Sequence, residues 1–168
     1  MLVLGVDPGS RHTGYGLIEA RGDRLVAKAH GRFSCKATQS VPARLHFLSS
    51  SLAGLLDEWS PEAIAMESLF HGINSKSLIV LAQARGALLT AAAATPAEIV
   101  EYSPAEVKVA VTGHGRAEKD QVQRMVSLIL SVPVDQLSAD SADALALAIC
   151  YSHRSRVDRL AARIQNPA

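Results

Sequence analysis

The sequence predicts an α/β fold, a mixed five-stranded sheet flanked by helices, and three observations point to it. Three β-type segments joined by short turns open the chain between Leu2 and Ser34. The hydrophobic period then changes to the helical one over Ala43–Glu58. After that, short apolar runs alternate with longer helical ones. A meander followed by such alternation gives a mixed sheet with helices on its faces.

Each element has a local reason. Leu2–Val6 reads as a short buried strand, closed by the turn residues Asp7-Pro8-Gly9-Ser10. Thr13–Glu19 is a second strand, weakened by Gly14 and Gly16, and Arg24–Ser34 is a third, with Arg21-Gly22-Asp23 at the hairpin turn. Leu45, Leu48, Leu52, Leu55, Leu56 and Trp59 recur at helical spacing, so Ala43–Glu58 is an amphipathic helix that Ser60-Pro61 ends. Ala63–Glu67 is a short apolar strand ending in an acid. Ser75–Ala94 is a long Ala- and Leu-rich helix stopped by Thr95-Pro96, and Glu98–Tyr102 is the last strand. Ser103-Pro104-Ala105-Glu106 starts a helix with an N-cap, Pro at the first position and Glu at the third. It runs to about Thr112, before Gly113-His114-Gly115. Another helix covers Glu118–Leu130, and Ser138 caps a final one from Ala139 to about His153. This order resembles that of the RNase H-like fold.

Composition narrows the class. The chain is 48% hydrophobic and 20% charged, as an ordinary folded domain is. At 168 residues it buries enough apolar surface to fold without disulfides or a structural metal. Cys35 and Cys150 lie far apart and make no C-x-x-C pair, which suits reduced thiols. There is neither a basic, apolar leader nor an apolar run long enough to span a membrane, so a cytoplasmic protein is expected. The net charge of +1 does not mark a nucleic-acid binder by itself. With four acids committed to metal, however, 17 basic residues would face 12 acids. Arg154, Arg156, Arg159 and Arg163 stand against Asp158 alone at the C-terminal end.

Acids sit at the ends of elements. Asp7 ends the first strand and Glu67 the fourth, while Asp140 and Asp143 lie three apart at the start of the final helix and share a face. If the first and fourth strands are neighbours, Asp7 and Glu67 project close together, and the final helix packed across the sheet adds its two acids. Clustered carboxylates repel and stay ionised only with compensating positive charge, and their hard oxygens suit Mg²⁺ or Mn²⁺. Two such ions about 4 Å apart can activate water and stabilise the leaving oxygen of a phosphodiester. Taken singly, each piece has a structural use. Asp-Pro-Gly-Ser makes an ordinary turn, and acids at a helix N-terminus suit its dipole. The histidines make no H-x-H or H-E-x-x-H pair, and His71 reads as a surface loop residue.

Gly5-Val6-Asp7-Pro8-Gly9-Ser10-Arg11 with Thr13-Gly14-Tyr15-Gly16 resembles the opening of RuvC-type Holliday junction resolvases. So do Ala65-Met66-Glu67-Ser68-Leu69-Phe70, Gln83-Ala84-Arg85-Gly86, Ala117-Glu118-Lys119 and Asp140-Ser141-Ala142-Asp143-Ala144-Leu145-Ala146, in order over nearly the whole chain. The resemblance implies an RNase H-like nuclease domain over residues 1–155, followed by a basic C-terminal tail over 156–168. It implies that Asp7, Glu67, Asp140 and Asp143 hold the metal, with two ions per site. It makes Phe70 an aromatic that stacks on unpaired bases, a wedge that would unstack DNA beside the scissile phosphate. It places Lys108 and Lys119 near the phosphates. Lys119, close to a helix N-terminus where a cation is unfavourable, would neutralise charge on the transferring phosphoryl group. Arg11, Lys76 and Arg85 are weaker candidates for DNA backbone contacts. The implied activity is paired, symmetric, metal-dependent nicking of a four-way DNA junction by a homodimer during recombination and repair, leaving 5′-phosphate ends, with the RuvA–RuvB branch-migration complex as partner. Leu78, Leu81 and Leu88 are candidates for the dimer face or for the monomer core. Rival readings are a nuclease of the same fold acting on RNA–DNA hybrids or RNA, a nucleotide binder of the actin-like type, for which the chain is too short, and a DNA-binding module without catalysis.

Overall fold

The computed structural model describes residues 1–36, 38–68 and 75–165, by backbone alone at 75–76, 159–160 and 162–165. The elements run β1 (Leu2–Asp7), β2 (His12–Arg21), β3 (Arg24–Ser34), α1 (Val41–Trp59), β4 (Ala63–Glu67), α2 (Ser75–Ala93), β5 (Glu98–Tyr102), α3 (Pro104–Thr112), α4 (Lys119–Leu130) and α5 (Ala139–Gln165). A short 3₁₀ turn, Val134–Gln136, joins the last two helices. The sheet order is β3-β2-β1-β4-β5. The meander pairs antiparallel, and β4 adds to β1, and β5 to β4, in parallel. Thus β1 and β4 are neighbours, the condition on which the expected meeting of Asp7 and Glu67 rests.

Side chains alternate across a strand, and the two sheet faces divide the core accordingly. Leu4, Val6, Leu17, Ile64 and Met66 pack with Leu48, Leu52, Leu56 and Leu88 on one side. Val3, Ile18, Ala63 and Ala65 pack with Val107, Val126, Leu145 and Ile149 on the other. Burying each large aliphatic side chain stabilises the fold by about 1.5–3 kcal/mol. Leu88 is fully buried in this monomer core and so does not face a partner. Leu78 and Leu81 remain partly exposed. The two cysteines are free and buried on opposite faces. Burial raises both thiols, Cys150 to about 11, which keeps them protonated.

The second face is built to receive a backbone. Gly5 pairs with Gly16, and Asp7 with Gly14. A Cβ on Gly5 would lie 1.8 Å from the carbonyl oxygen of Ala144, and one on Gly14 would lie 2.0 Å from that of Asp140. Helix α5 therefore lies directly on the β1–β2 backbone, and the glycines that weaken β2 as a strand are what let it approach. Gly14→Ala is expected to push the start of α5 off the sheet and lower stability by about 1–3 kcal/mol or more. Gly54→Ala in α1, where a Cβ meets nothing within 4 Å, is expected to be neutral or to stabilise by about 0.5–1 kcal/mol. Thermal melts of the two variants check this.

Helix α5 continues to Gln165, well past the expected end near His153. No Gly or Pro interrupts the sequence before Pro167, and Arg, Leu and Ala favour helix. Arg154 pairs with Glu106 of α3 at 3.0 Å, and Arg156 with Asp23 in the β2–β3 turn at 2.6 Å. The backbone of 156–165, expected as a tail, therefore prolongs α5. No described helix is long and apolar enough to cross a membrane.

Candidate active site

Asp7 and Glu67 end two adjacent parallel strands, whose register sets Gly5 beside Ala65 and Val6 beside Met66. Both acids stand two residues beyond the Gly5–Ala65 pair, so both project from the face that α5 covers. The α5 N-terminus is held by Ser138, whose Oγ accepts from the Ser141 N–H at 3.1 Å. Asp140 and Asp143 occupy its opening turns. Asp7, Glu67 and Asp143 line one cavity of about 240 Å³ together with Pro104, Val107, Lys108, Lys119, Val122 and Leu147. Lys119 Nζ donates to Asp143 Oδ2 at 3.3 Å.

Asp140 does not line this cavity, although its charge still reaches Asp7. Its Oδ2 accepts from Arg32 Nη1 of β3 at 3.4 Å. Among the described residues, no three His, Cys, Asp or Glu side chains are gathered closely enough to hold a metal ion between them. Arg32 and Lys119 each pair with one of the two aspartates of α5.

The electrostatics show a deficit of positive charge. Burial, reinforced by Asp143, Glu67 and Asp140, pushes the Asp7 carboxyl up to about 8, with Lys119 opposing. Burial and Asp143 raise Glu67, while Lys119 and a hydrogen bond with Asp7 lower it. Burial also raises Asp143 against the pull of Lys119. Asp143 in turn raises Lys119. Three half-buried carboxylates that line one cavity and resist ionising together have the chemistry that suits a divalent cation of the Mg²⁺ type, whose charge would let all three ionise.

Of the other expected site residues, Lys108 lines the cavity from α3. Arg11 is exposed in the turn between β1 and β2. Phe70 and His71, and the side chain of Lys76, lie outside the described residues. Arg85 offers little surface to a DNA backbone: its side chain is 12% exposed and pairs with Glu101. Two further residues support the site. Thr13, fully buried, donates from Oγ1 to the Gly9 carbonyl at 3.0 Å and so braces the turn after Asp7. Arg32 restrains Asp140. Its only signal is the Gly14–Arg32 register, which a sequence does not display. A larger, mainly apolar hollow of about 590 Å³ lies between α3 and α5, around Val109, His153, Arg154 and Val157. It holds no comparable cluster of acids, so size alone does not mark the site.

Acids from two parallel strand ends and a crossing helix, on a sheet of this order, define a nuclease of the RNase H-like fold. The family model described as crossover junction endodeoxyribonuclease RuvC matches residues 3–151, and the chain belongs to that family. It is 45% identical over 157 residues to the crossover junction endodeoxyribonuclease RuvC of Syntrophomonas wolfei, covering 94% of this chain and 91% of that protein. It is also 45% identical over 160 residues to that of Thermomicrobium roseum, covering 95% and 98%. Among solved structures, Thermus thermophilus RuvC in complex with a Holliday junction substrate superposes with a TM-score of 0.88 at 29% identity, covering 94% of this chain and 96% of that one. The yeast mitochondrial Holliday junction resolvase shares the fold, with a TM-score of 0.69 at 15% identity, covering 94% and 82%.

Proposed function

We propose that this chain is a resolvase that nicks two opposing strands of a four-way DNA junction at the cavity between β1, β4 and α5. The observation that carries this reading is the convergence of Asp7, Glu67 and Asp143, from three separate elements, on one cavity with Lys108 and Lys119 at its wall. Family membership supports the substrate. Asp7, Glu67, Asp140 and Asp143 are the residues that would hold Mg²⁺, or Mn²⁺ in its place, with two ions as the working number. A bound divalent ion supplies a lowered pKa for water and a counter-charge for the leaving oxygen.

The chain's own residues do the rest. Partial burial of Asp7 and Glu67 limits competing water and strengthens each charge interaction. Lys119 and Lys108 offer positive charge where a phosphate would enter. Phe70, just past Glu67 in sequence, would separate bases beside the cut. A homodimer would set two equal sites on symmetry-related phosphates, matching the approximate two-fold symmetry of a junction. A branch-migration complex of the RuvA–RuvB kind is the natural partner, and the cytoplasm the natural setting.

The test is cleavage of three substrates under identical conditions: a mobile four-way junction, its linear arm duplex and an RNA–DNA hybrid. Paired nicks in opposing junction strands, with the linear substrates left intact, are expected. Equal or faster cutting of the hybrid would replace this reading with the rival nuclease.

A further inference from the structure

Arg85 lies in the middle of α2, beside Ala84 and near Leu88, both fully buried. A guanidinium taken from water costs several kcal/mol unless it is paired and hydrogen-bonded. Its Nε donates to the main-chain carbonyl of Glu67 at 3.3 Å. Its Nη2, itself shielded from solvent, lies 2.5 Å from Glu101 Oε1, an ion pair without hydrogen-bond alignment. One side chain on a helix thus reaches the two neighbouring strands β4 and β5, near the place where β4 ends.

On its β1 side that place is short of ladder support, although Glu67 still pairs with Tyr102 of β5. The β1–β4 pairing stops at Val6 and Met66, so Glu67 has already left it. On the other side, the Ser68 N–H donates to the Tyr102 carbonyl at 2.9 Å. Arg85 supplies a donor to a carbonyl beyond the β1 pairing. The Glu67 backbone is consequently held from β5 and from α2, and its carboxylate leaves toward Asp7 from a restrained base.

We infer that Arg85 is a positioning residue: by gripping the Glu67 main chain it orients the Glu67 carboxylate and so sets how well the cavity holds a divalent ion. The inference rests on the proposed metal site, but its readout does not require cleavage. Groups that orient a metal ligand typically change metal affinity about 10–100-fold when removed.

The experiment compares the full-length protein with Arg85→Met, Arg85→Lys and Glu101→Gln. Mn²⁺ binding is measured by calorimetry, melting temperature in EDTA, and nicking against Mg²⁺ concentration. Arg85→Met is expected to weaken Mn²⁺ binding by about 10-fold and raise the Mg²⁺ needed for half-maximal nicking in proportion. Arg85→Lys, which keeps the charge but not the forked reach, is expected to fall between. Glu101→Gln, which leaves the Nε contact in place, is expected to bind Mn²⁺ like the parent even if it melts lower. A lowered melting temperature with unchanged Mn²⁺ affinity in both Arg85 variants would overturn the inference and leave Arg85 a core residue. If Arg85→Met does not fold, the contrast between Arg85→Lys and Glu101→Gln decides. If the parent binds Mn²⁺ yet cuts no junction, the functional reading fails while the affinities still judge Arg85.

Discussion

An Asp7→Asn variant is expected to fold, to gain stability in the absence of divalent metal, and to lose cleavage by about 10³-fold or more, as befits losing several kcal/mol of metal-based stabilisation. The gain follows from linkage. The Asp7 carboxyl is raised from 3.8 to about 8 in the folded protein, so the folded chain binds that proton more tightly than the unfolded one. Stability therefore falls as pH rises from about 4 to about 8, and the full penalty is present above that range. Asparagine carries no charge to desolvate. Its advantage should be absent near pH 4 and grow to a few kcal/mol above pH 8, on the order of 5 °C or more in melting temperature. Added Mg²⁺ should reverse the ranking by stabilising the parent more than the variant. Melting curves from pH 4 to 9, with and without Mg²⁺, check both parts. A variant less stable than the metal-free parent at pH 9 would show that Asp7 is a structural residue.

Lys119→Met is the second large effect. The ammonium lies 3.3 Å from Asp143 with its side chain 80% exposed, and it opens α4, where a cation is mildly unfavourable. Stability above the acids' titration range should fall only modestly, because the counter-charge removed is largely exposed and screened, and methionine keeps the apolar stem. Single-turnover nicking, in contrast, should slow by about 10²–10³-fold, the usual result of removing one donor to developing charge. Lys119 also lowers Asp7, Glu67 and Asp143. Without it all three titrate at higher pH, so the acid limb of the pH–rate profile should move upward. Slowing without that move would place Lys119 on the DNA alone. A rate within a few-fold of the parent would remove it from the catalytic set.

Much of this architecture is legible residue by residue. Strands β3, β4 and β5 have their expected ends because turn residues or prolines lie close by: Gly22 before β3, Pro61 before β4, and Pro96 and Pro104 around β5. The acids at strand ends are visible too, but their meeting depends on β1 pairing with β4, a non-local fact that periodicity does not carry. Asp140 shows the limit most clearly. Its helix position is readable, whereas its pairing with Arg32, which lies far away in sequence, depends on the β2–β3 register and on α5 lying across Gly14. Arg85 misleads for a different reason: an arginine on an Ala-rich helix reads as a surface cation, and only the packing of α2 reveals the carbonyl behind it. Leu88 reads equally well as core or interface, since a helix's apolar stripe does not name what covers it. Helix α5 outruns the sequence expectation because a basic run suits a helix end, although no Gly or Pro stands between Ala139 and Pro167.

The most direct test of the central claim is a nicking assay on a synthetic mobile four-way junction, comparing the parent with Asp7→Asn in Mg²⁺, Mn²⁺ and EDTA. Paired symmetric nicks that require the metal and vanish in the variant, while the variant still binds the junction, are the predicted result. Junction binding by the parent without cleavage, across metals and junction sequences, would contradict it and make the chain a binding module.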